Sequence, residues 1–553
     1  MTKLPKCVKL VFDTRLTRNQ KRRKNNMRKK YSHLKEMIED CAVKYENNIA
    51  FKVKKTGENG KICYDEITYA RFAKEIEYLA RSFIETGLAG KRIAVIGKNS
   101  YEWIVVFLAA VFAGGVIVPL DRGLLDFEIA DQLKRSEAVA LFYGAEFKDR
   151  VADYDIVKVC TEDKEFSDML VQGKEADNKK EYDSIKISTH DMTVLLFTSG
   201  TTSASKAVML CQNNITFDMY AMSIWENFYE TDVNMALLPF HHTFGMMQTM
   251  MFLSCGLCNV FCDGLRIAKC MNEYGVTIFV GVPRIIEEMM LAVNKKITAQ
   301  GKTKKIQKAL KISNALKKCG IDVRRKMFRQ IIDGMGGRLR MVIIGAAAAS
   351  PDVLNFFNSI GVLAIQGYGL TETSPVVSSE NHNHRRKDSV GLTIPGVEAR
   401  IDNPDENGIG EIVVKGENLM LGYYKEPELT AEVIKDGWFY TGDLGRMDKD
   451  GYIYICGRKK NVIVLSNGKN VYPEEIETII NLSPAIKECI VYAEGDDMRC
   501  KIVADEEFEG DKDATIAQHM AYVNEQLIYY KRINSYTVQD TEMAKTTTGK
   551  IKR

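Results

Sequence analysis

Two hydrophobic rhythms divide this chain. From residue 33 to about 390, short apolar runs bounded by Gly, Pro and polar residues alternate with segments whose apolar positions recur every three or four residues. The first rhythm predicts buried strands and the second helices. The pattern places helices over 33–45, 101–113, 124–136, 213–228 and 243–254. It places strands over 49–53, 92–96, 116–119, 139–142, 233–238, 276–280, 340–344 and 362–366. Long basic helices, over 309–318 and 323–332 among others, fill 284–336. Such alternation builds a largely parallel sheet with helices on its faces. From Val390 the texture changes to period-two segments separated by Gly, Asp and Asn, among them Glu411–Lys415 and Tyr452–Ile455. That is an antiparallel β region. The last ninety or so residues return to α+β, with helices over 473–482 and 515–527 and strands over 489–492 and 500–504.

The longest uncharged run, Trp103 to Leu120, approaches the length of a membrane span. Gly114-Gly115 interrupts it and Pro119 ends it, so a buried helix followed by a strand fits better. Hydrophobic residues make up 45% and charged residues 27% of the 553, which places the chain among soluble globular proteins with room for several domains. The net charge of +4 hides an asymmetry. Residues 1–30 carry twelve Lys/Arg against the single acid Asp13. A solvated arm and a segment drawn to an anionic lipid surface both fit that composition; nucleic acid fits poorly, because no aromatic residues interleave with the charges of Lys21–Lys24 and Arg28–Lys30. The thirteen cysteines follow no signal-like leader, and free thiols in a reducing cytosol are expected. Cys255, Cys258, Cys262 and Cys270 cluster, but in an apolar setting and without a second ligand pair at zinc-finger spacing, so they read as structural. Met246, Met247, Met250 and Met251 read as core, or as the wall of an apolar tunnel.

The chemistry begins at Leu195-Leu196-Phe197-Thr198-Ser199-Gly200-Thr201-Thr202-Ser203-Ala204-Ser205-Lys206. A buried strand empties into small hydroxyl residues and closes on a lysine. Small residues let backbone N–H groups approach an anion, hydroxyls add donors, and the lysine adds charge, which together suit a polyphosphate. A Walker A loop is excluded, because Ser205 and Ala207 flank the lysine where that motif needs Gly and Ser/Thr. Four further segments point the same way: Gln366-Gly367-Tyr368-Gly369-Leu370-Thr371-Glu372, just past a strand; Tyr440-Thr441-Gly442-Asp443; Gly457-Arg458-Lys459-Lys460 leading to Gly468; and Lys545-Thr546-Thr547-Thr548-Gly549-Lys550 at the C-terminus. Tyr368 offers a flat face to a base, Glu372 a carboxylate to Mg²⁺, and Asp443 an acceptor for ribose hydroxyls.

In this order the motifs resemble the adenylate-forming (ANL) superfamily of acyl-CoA synthetases, luciferases and peptide-synthetase adenylation domains, over roughly residues 45–553. Leu238-Pro239-Phe240-His241-His242, Gly281-Val282-Pro283-Arg284 and the basic insert before Gly345-Ala346-Ala347 make it similar to a bacterial long-chain fatty acid–CoA ligase. The resemblance implies an α/β fold: a large domain of two helix-flanked sheets with a β-barrel-like subdomain near 390–456, hinged to a small α+β domain. It divides the chain into a basic arm (1–32), a large domain (33–459) and a mobile domain (460–553). It implies ATP, Mg²⁺ and coenzyme A as cofactors, and a fatty acid or other carboxylic acid as substrate.

Residue by residue, the resemblance implies that Lys550 bridges the carboxylate and the α-phosphate, with Thr371 beside it. Thr198, Ser199, Gly200, Thr201, Thr202 and Lys206 hold the outer phosphates and Glu372 the metal. Gly345, Ala346, Ala347, Gly367, Tyr368 and Gly369 enclose the adenine, Asp443 and Arg458 the ribose. His242 lies at the carboxylate end of the acyl site. Lys460 is the hinge and Gly468 belongs to the coenzyme A side. Departures from the usual family pattern at Ser203, Ser205, Ala207, Lys460 and Ala544 remove no group the chemistry needs. Two rival readings stay open: transfer to an acyl carrier protein, and a silent ligand-sensing paralogue. A cytoplasmic protein is expected, with peripheral association at an anionic membrane through residues 1–30 left open.

Overall fold

The computed structural model describes residues 28–553 except 57–60, 199–204, 263, 265, 467, 546–550, 552 and 553. Two sheets carry most of it. The first has seven strands in the order Gly422–Tyr423, Lys206–Cys211, Met192–Thr198, Val116–Leu120, Arg92–Ile96, Ala140–Tyr143, Val157–Cys160. It is parallel from Met192–Thr198 to Val157–Cys160 and antiparallel at the other edge. The second has nine strands, six of them consecutive and parallel from Leu363–Gly369 to Ile49–Thr56.

The helix Tyr101–Phe112 is buried at every position but Glu102, and one continuous apolar cluster joins it to strands of both sheets. Ser100 caps it by accepting from the Trp103 N–H. At twelve residues it is a core helix, and no helix among the described residues is long and apolar enough to cross a membrane. The four methionines of 246–251 belong to the same core. Cys255 is buried and Cys258, Cys262 and Cys270 half-buried, and no cluster of metal-ligand geometry among the described residues includes them.

A third, antiparallel sheet of five strands runs from Glu398–Asp402 to Ile453–Arg458. Beyond it, residues 465–533 build a separate small core around Val471, Ile476, Val491 and Ile516. A three-stranded sheet, Ile486–Glu494, Asp497–Ala504 and Ser535–Gln539, lies at its centre.

The structure differs from the sequence expectation at several elements. The strand begun at Val233 stops at Met235, because the Asn99 amide takes the carbonyls of Ala236 and Leu238 (3.0 and 2.8 Å) that a ladder would have used. The helix expected over 323–332 is two short pieces, Arg324–Met327 and Arg329–Asp333. Phe328 leaves the helical register between them and is buried. The basic helix expected at 309–318 starts earlier, at Thr303. Helix Tyr69–Glu85, with Tyr69, Phe72, Ile76, Leu79 and Phe83 buried on one face, is an addition. It crosses helix Lys164–Glu175 at Gly173, where a Cβ would come within 1.7 Å of the Tyr78 carbonyl oxygen.

Candidate active site

The hydroxyl-rich segment is the connection of a hairpin. Thr198 lies opposite Lys206 across antiparallel strands, so the lysine opens a strand. Ser199, Gly200, Thr201 and Thr202 lie outside the described residues. A group the sequence did not flag holds the loop's far end: Arg135 donates to the Ser205 carbonyl (2.6 Å) and to its Oγ (3.2 Å), with its guanidinium over the Phe197 ring.

Next to this hairpin, Thr371 and Glu372 form a single tight turn after the strand Leu363–Gly369. The Tyr423 hydroxyl donates to Glu372 Oε1 (2.9 Å), and Lys206 Nζ lies 4.8 Å above the Tyr423 ring. Tyr423 is thus a second unflagged residue. Burial, then the Glu372 carboxylate, raises its phenol pKa far above the ordinary range. A half-buried carboxylate with one protein partner on this side is a hard oxygen donor that fits Mg²⁺, which takes one or two carboxylates and keeps several waters. Thr371 Oγ1 meets the Thr243 hydroxyl at 3.5 Å.

The third cluster joins two sheets. Asp443 and Arg458 are directly paired on neighbouring antiparallel strands. Arg458 Nε contacts Asp443 Oδ1 at 2.8 Å, and the Tyr368 hydroxyl donates to Asp443 Oδ2 at 2.6 Å. Burial and then the Asp443 charge hold the Tyr368 phenol well above its usual pKa, so it stays a donor at every working pH. Asp443 itself is fixed by its backbone N–H on Thr441 Oγ1 (3.0 Å). Glu411, also unflagged, accepts from the Gly442 N–H and from Lys459.

Gly345 packs under Phe244, whose ring a Cβ would meet at 2.7 Å. Ala346 then takes φ +70°, a left-handed conformation costing a non-glycine residue roughly 1–2 kcal/mol. Together they bring the backbone of 345–347 to the wall of one cavity of about 2700 Å³. Lys206, Thr371, Glu372, Tyr368, Arg458 and Lys460 line the same space. Burial, then Arg458 and Lys206, pushes the Lys460 ammonium below its ordinary pKa, with Glu474 opposing. Three cations therefore crowd one region, an arrangement that an anion relieves.

His242 lines this cavity too. Its ring centre lies 4.3 Å from that of His241, whose Nε2 contacts Asp121 Oδ1 at 3.1 Å. Lys550 lies outside the described residues. Its flanks do not: Lys545 and Ile551 bridge each other and both line the cavity. Lys545 is held by Glu488 (2.8 Å) on the small sheet. Gly468 sits elsewhere, at φ +77° in the tight connection between Ile463–Val464 and Asn470–Val471, and does not line the cavity.

Residues 39–424 match the model of the AMP-binding enzyme family, and residues 460–553 that of its C-terminal domain. The chain belongs to the AMP-binding enzyme family. Among curated members, it is 27% identical over 519 residues to fatty acyl-CoA synthetase B of Dictyostelium discoideum, covering 86% of this chain and 76% of that one. It is 26% identical over 456 residues to a long-chain-fatty-acid–CoA ligase of Mycobacterium tuberculosis, covering 77% and 75%. Among solved structures, ATP-bound MatB from Rhodopseudomonas palustris superposes with a TM-score of 0.73 at 25% identity, over 94% of this chain and 97% of that one. O-succinylbenzoate coenzyme A synthetase from Bacillus subtilis, bound to AMP, does so at 0.73 and 20%, over 94% and 97%. The family's architecture of a large N-terminal domain and a smaller C-terminal one is the one seen here.

Proposed function

We propose that this protein is an AMP-forming ligase that activates a fatty acid with ATP and passes the acyl group to coenzyme A. The observation that carries the reading is the convergence, on one cavity, of Lys206, Glu372 and the Tyr368–Asp443–Arg458 cluster with the two residues that bracket Lys550. The relatives that are fatty acyl-CoA synthetases and long-chain-fatty-acid–CoA ligases suggest the substrate class.

The first step brings a carboxylate onto the α-phosphorus of a polyanion, so its barrier is largely electrostatic. A carboxylate oxygen forms the new bond to phosphorus, the bond to the β-phosphate oxygen breaks, and pyrophosphate leaves. Lys206 and the 198–202 segment hold the outer phosphates. Asp443 and Arg458 hold the ribose, and Tyr368 with the backbone of 345–347 and of Gly367 and Gly369 encloses the adenine. Glu372 holds Mg²⁺, which when bound offsets phosphate charge. Lys550 spans the two reacting anions, with Thr371 beside the α-phosphate and His242 at the carboxylate end of the acyl site. The units 33–459 and 460–553 then turn about Lys460. That motion withdraws Lys550 and brings the Gly468 side to the incoming thiol, whose sulfur displaces AMP. Residues 1–27 of the arm lie outside the described residues. We assign the arm to an anionic membrane surface; at its end Arg28 donates to the Phe228 carbonyl, and Lys29 and Lys30 pair at the surface with Glu36 and Glu417.

Pyrophosphate release across carboxylic acids from acetate to palmitate, aromatic acids included, tests the reading. Release is expected with long-chain acids, and none with any acid would end it. Free coenzyme A and a phosphopantetheine-bearing carrier compared as acceptors decide between thiols. Lys550→Ala should lose acyl-adenylate formation yet still make thioester from supplied adenylate; equal loss of both steps would remove the assigned role.

A further inference from the structure

The insert between the two halves of the nine-stranded sheet has a surface that the adenylation chemistry leaves unused. Between Lys295 and Arg329 the chain holds thirteen Lys/Arg and one acid, Asp322, and that acid is taken by Arg324. On helix Thr303–Lys318, the exposed residues Lys304, Lys308, Lys311 and Lys318 are spaced by four, three and seven. Those intervals put them on one face. The opposite face, Ile306, Ala309, Leu310 and the buried Ser313, rests on the core. None of the four lysines makes an ion pair among the described residues.

Large apolar side chains stand exposed among these charges: Ile312 on the same helix, then Ile321 and Met327. Lys317, at the end of the helix, is pushed below its usual pKa by burial and by Arg324 and Arg385. Arg324, Lys295 and Arg329 have acidic partners, so the charge left unpaired is that of the four lysines, and it is mixed with apolar groups.

We propose that this helix face docks on an anionic lipid surface, its lysines on the headgroups and Ile312, Ile321 and Met327 in the interface. Clusters of four to eight Lys/Arg interleaved with apolar residues are what such a surface binds. A nucleic acid would want stacking partners, and the sole aromatic residue between 284 and 340, Phe328, is buried. The preceding helix, Pro283–Ala299, lines the cavity with Met290 and Leu291, and Leu291 is itself half exposed. Docking there would set the cavity wall against the bilayer. The docking claim needs no acyl chemistry and stands or falls apart from the proposed reaction.

The test is co-sedimentation of the full chain with phosphatidylcholine vesicles and with vesicles of phosphatidylcholine and about a third phosphatidylglycerol. The chain should bind the second and not the first, with binding lost as salt rises, both whole and with residues 1–27 of the basic arm deleted. Combined Lys304→Glu, Lys308→Glu, Lys311→Glu and Lys318→Glu should weaken partitioning about 100-fold or more, at roughly fivefold per lysine. A second variant, Ile312→Asp with Ile321→Asp, should weaken it at least about tenfold. Pyrophosphate release without vesicles should not change in either. Partitioning equal to the parent in both variants, equal binding to neutral vesicles, or binding to poly(U) in place of the anionic vesicles would each overturn the proposal.

Discussion

Asp443 is where several lines of force meet. It is nearly buried, accepts from Tyr368 and is paired with Arg458. A buried carboxylate is tolerable only with such partners. Asp443→Asn keeps the shape, removes the charge and weakens both contacts. Each charge-assisted hydrogen bond contributes about 1.5–3 kcal/mol, so kcat/KM for ATP in the pyrophosphate assay should fall tenfold to about 100-fold. Glu380 makes a different prediction. Burial pushes its carboxyl up to about 7, against the backbone N–H groups of Gln366 and Arg386. A carboxyl raised in the folded state favours folding while protonated, and that favour is lost as pH climbs from the ordinary carboxyl range through about 7. Stability should therefore drop by on the order of 2–3 kcal/mol across that window. In Glu380→Gln the drop should vanish, as read by denaturant unfolding at pH 5 and pH 8. At this scale the sequence was generous about charged groups with a motif around them, such as Glu372, Asp443 and Arg458. It was silent about Tyr423, Glu411 and Arg135, whose partners come from distant segments and leave no local spacing to read.

Elements whose signals are local were legible. The helix over 243–254 has the expected ends, and helix Tyr101–Phe112 lies within a residue of its own, set by a serine cap and an unbroken apolar run. Elements set by long-range partners were not. Val233–Met235 is short because Asn99, more than a hundred residues away, intrudes. Helix Tyr69–Glu85 carries a plain three-and-four spacing in its sequence, yet does not figure among the expected elements. Its crossing with Lys164–Glu175 leaves no room for a Cβ at Gly173. Gly173→Ala should force the helices apart and cost about 1–3 kcal/mol, seen as a lowered denaturant midpoint with an unchanged slope.

At the scale of the whole molecule, the joint between the two domains is short and held on both sides. Arg458 is tied to Asp443 and Lys459 to Glu411 on one side, while Asn461 donates to Glu474 (2.6 Å) on the other. Lys460 lies between these ties. Lys460→Pro should therefore leave pyrophosphate release in place and slow thioester formation at least about tenfold in single-turnover measurements. Equal slowing of both steps would move the pivot elsewhere. The overall α/β plan could be read from rhythm, but the meeting of residues from so many segments at one cavity is a three-dimensional fact. The buried helix Tyr101–Phe112 has a consequence for how the protein comes into being. Helices Leu34–Lys44 and Tyr69–Glu85 and strands of the first sheet cover most of it, but its Trp103 packs on Phe240, which is translated more than a hundred residues later. At ribosomal speed that leaves a greasy rod waiting about ten seconds or more for its second cover. The nascent chain is then a client for chaperones, and a truncation ending near residue 230 should collect in inclusion bodies.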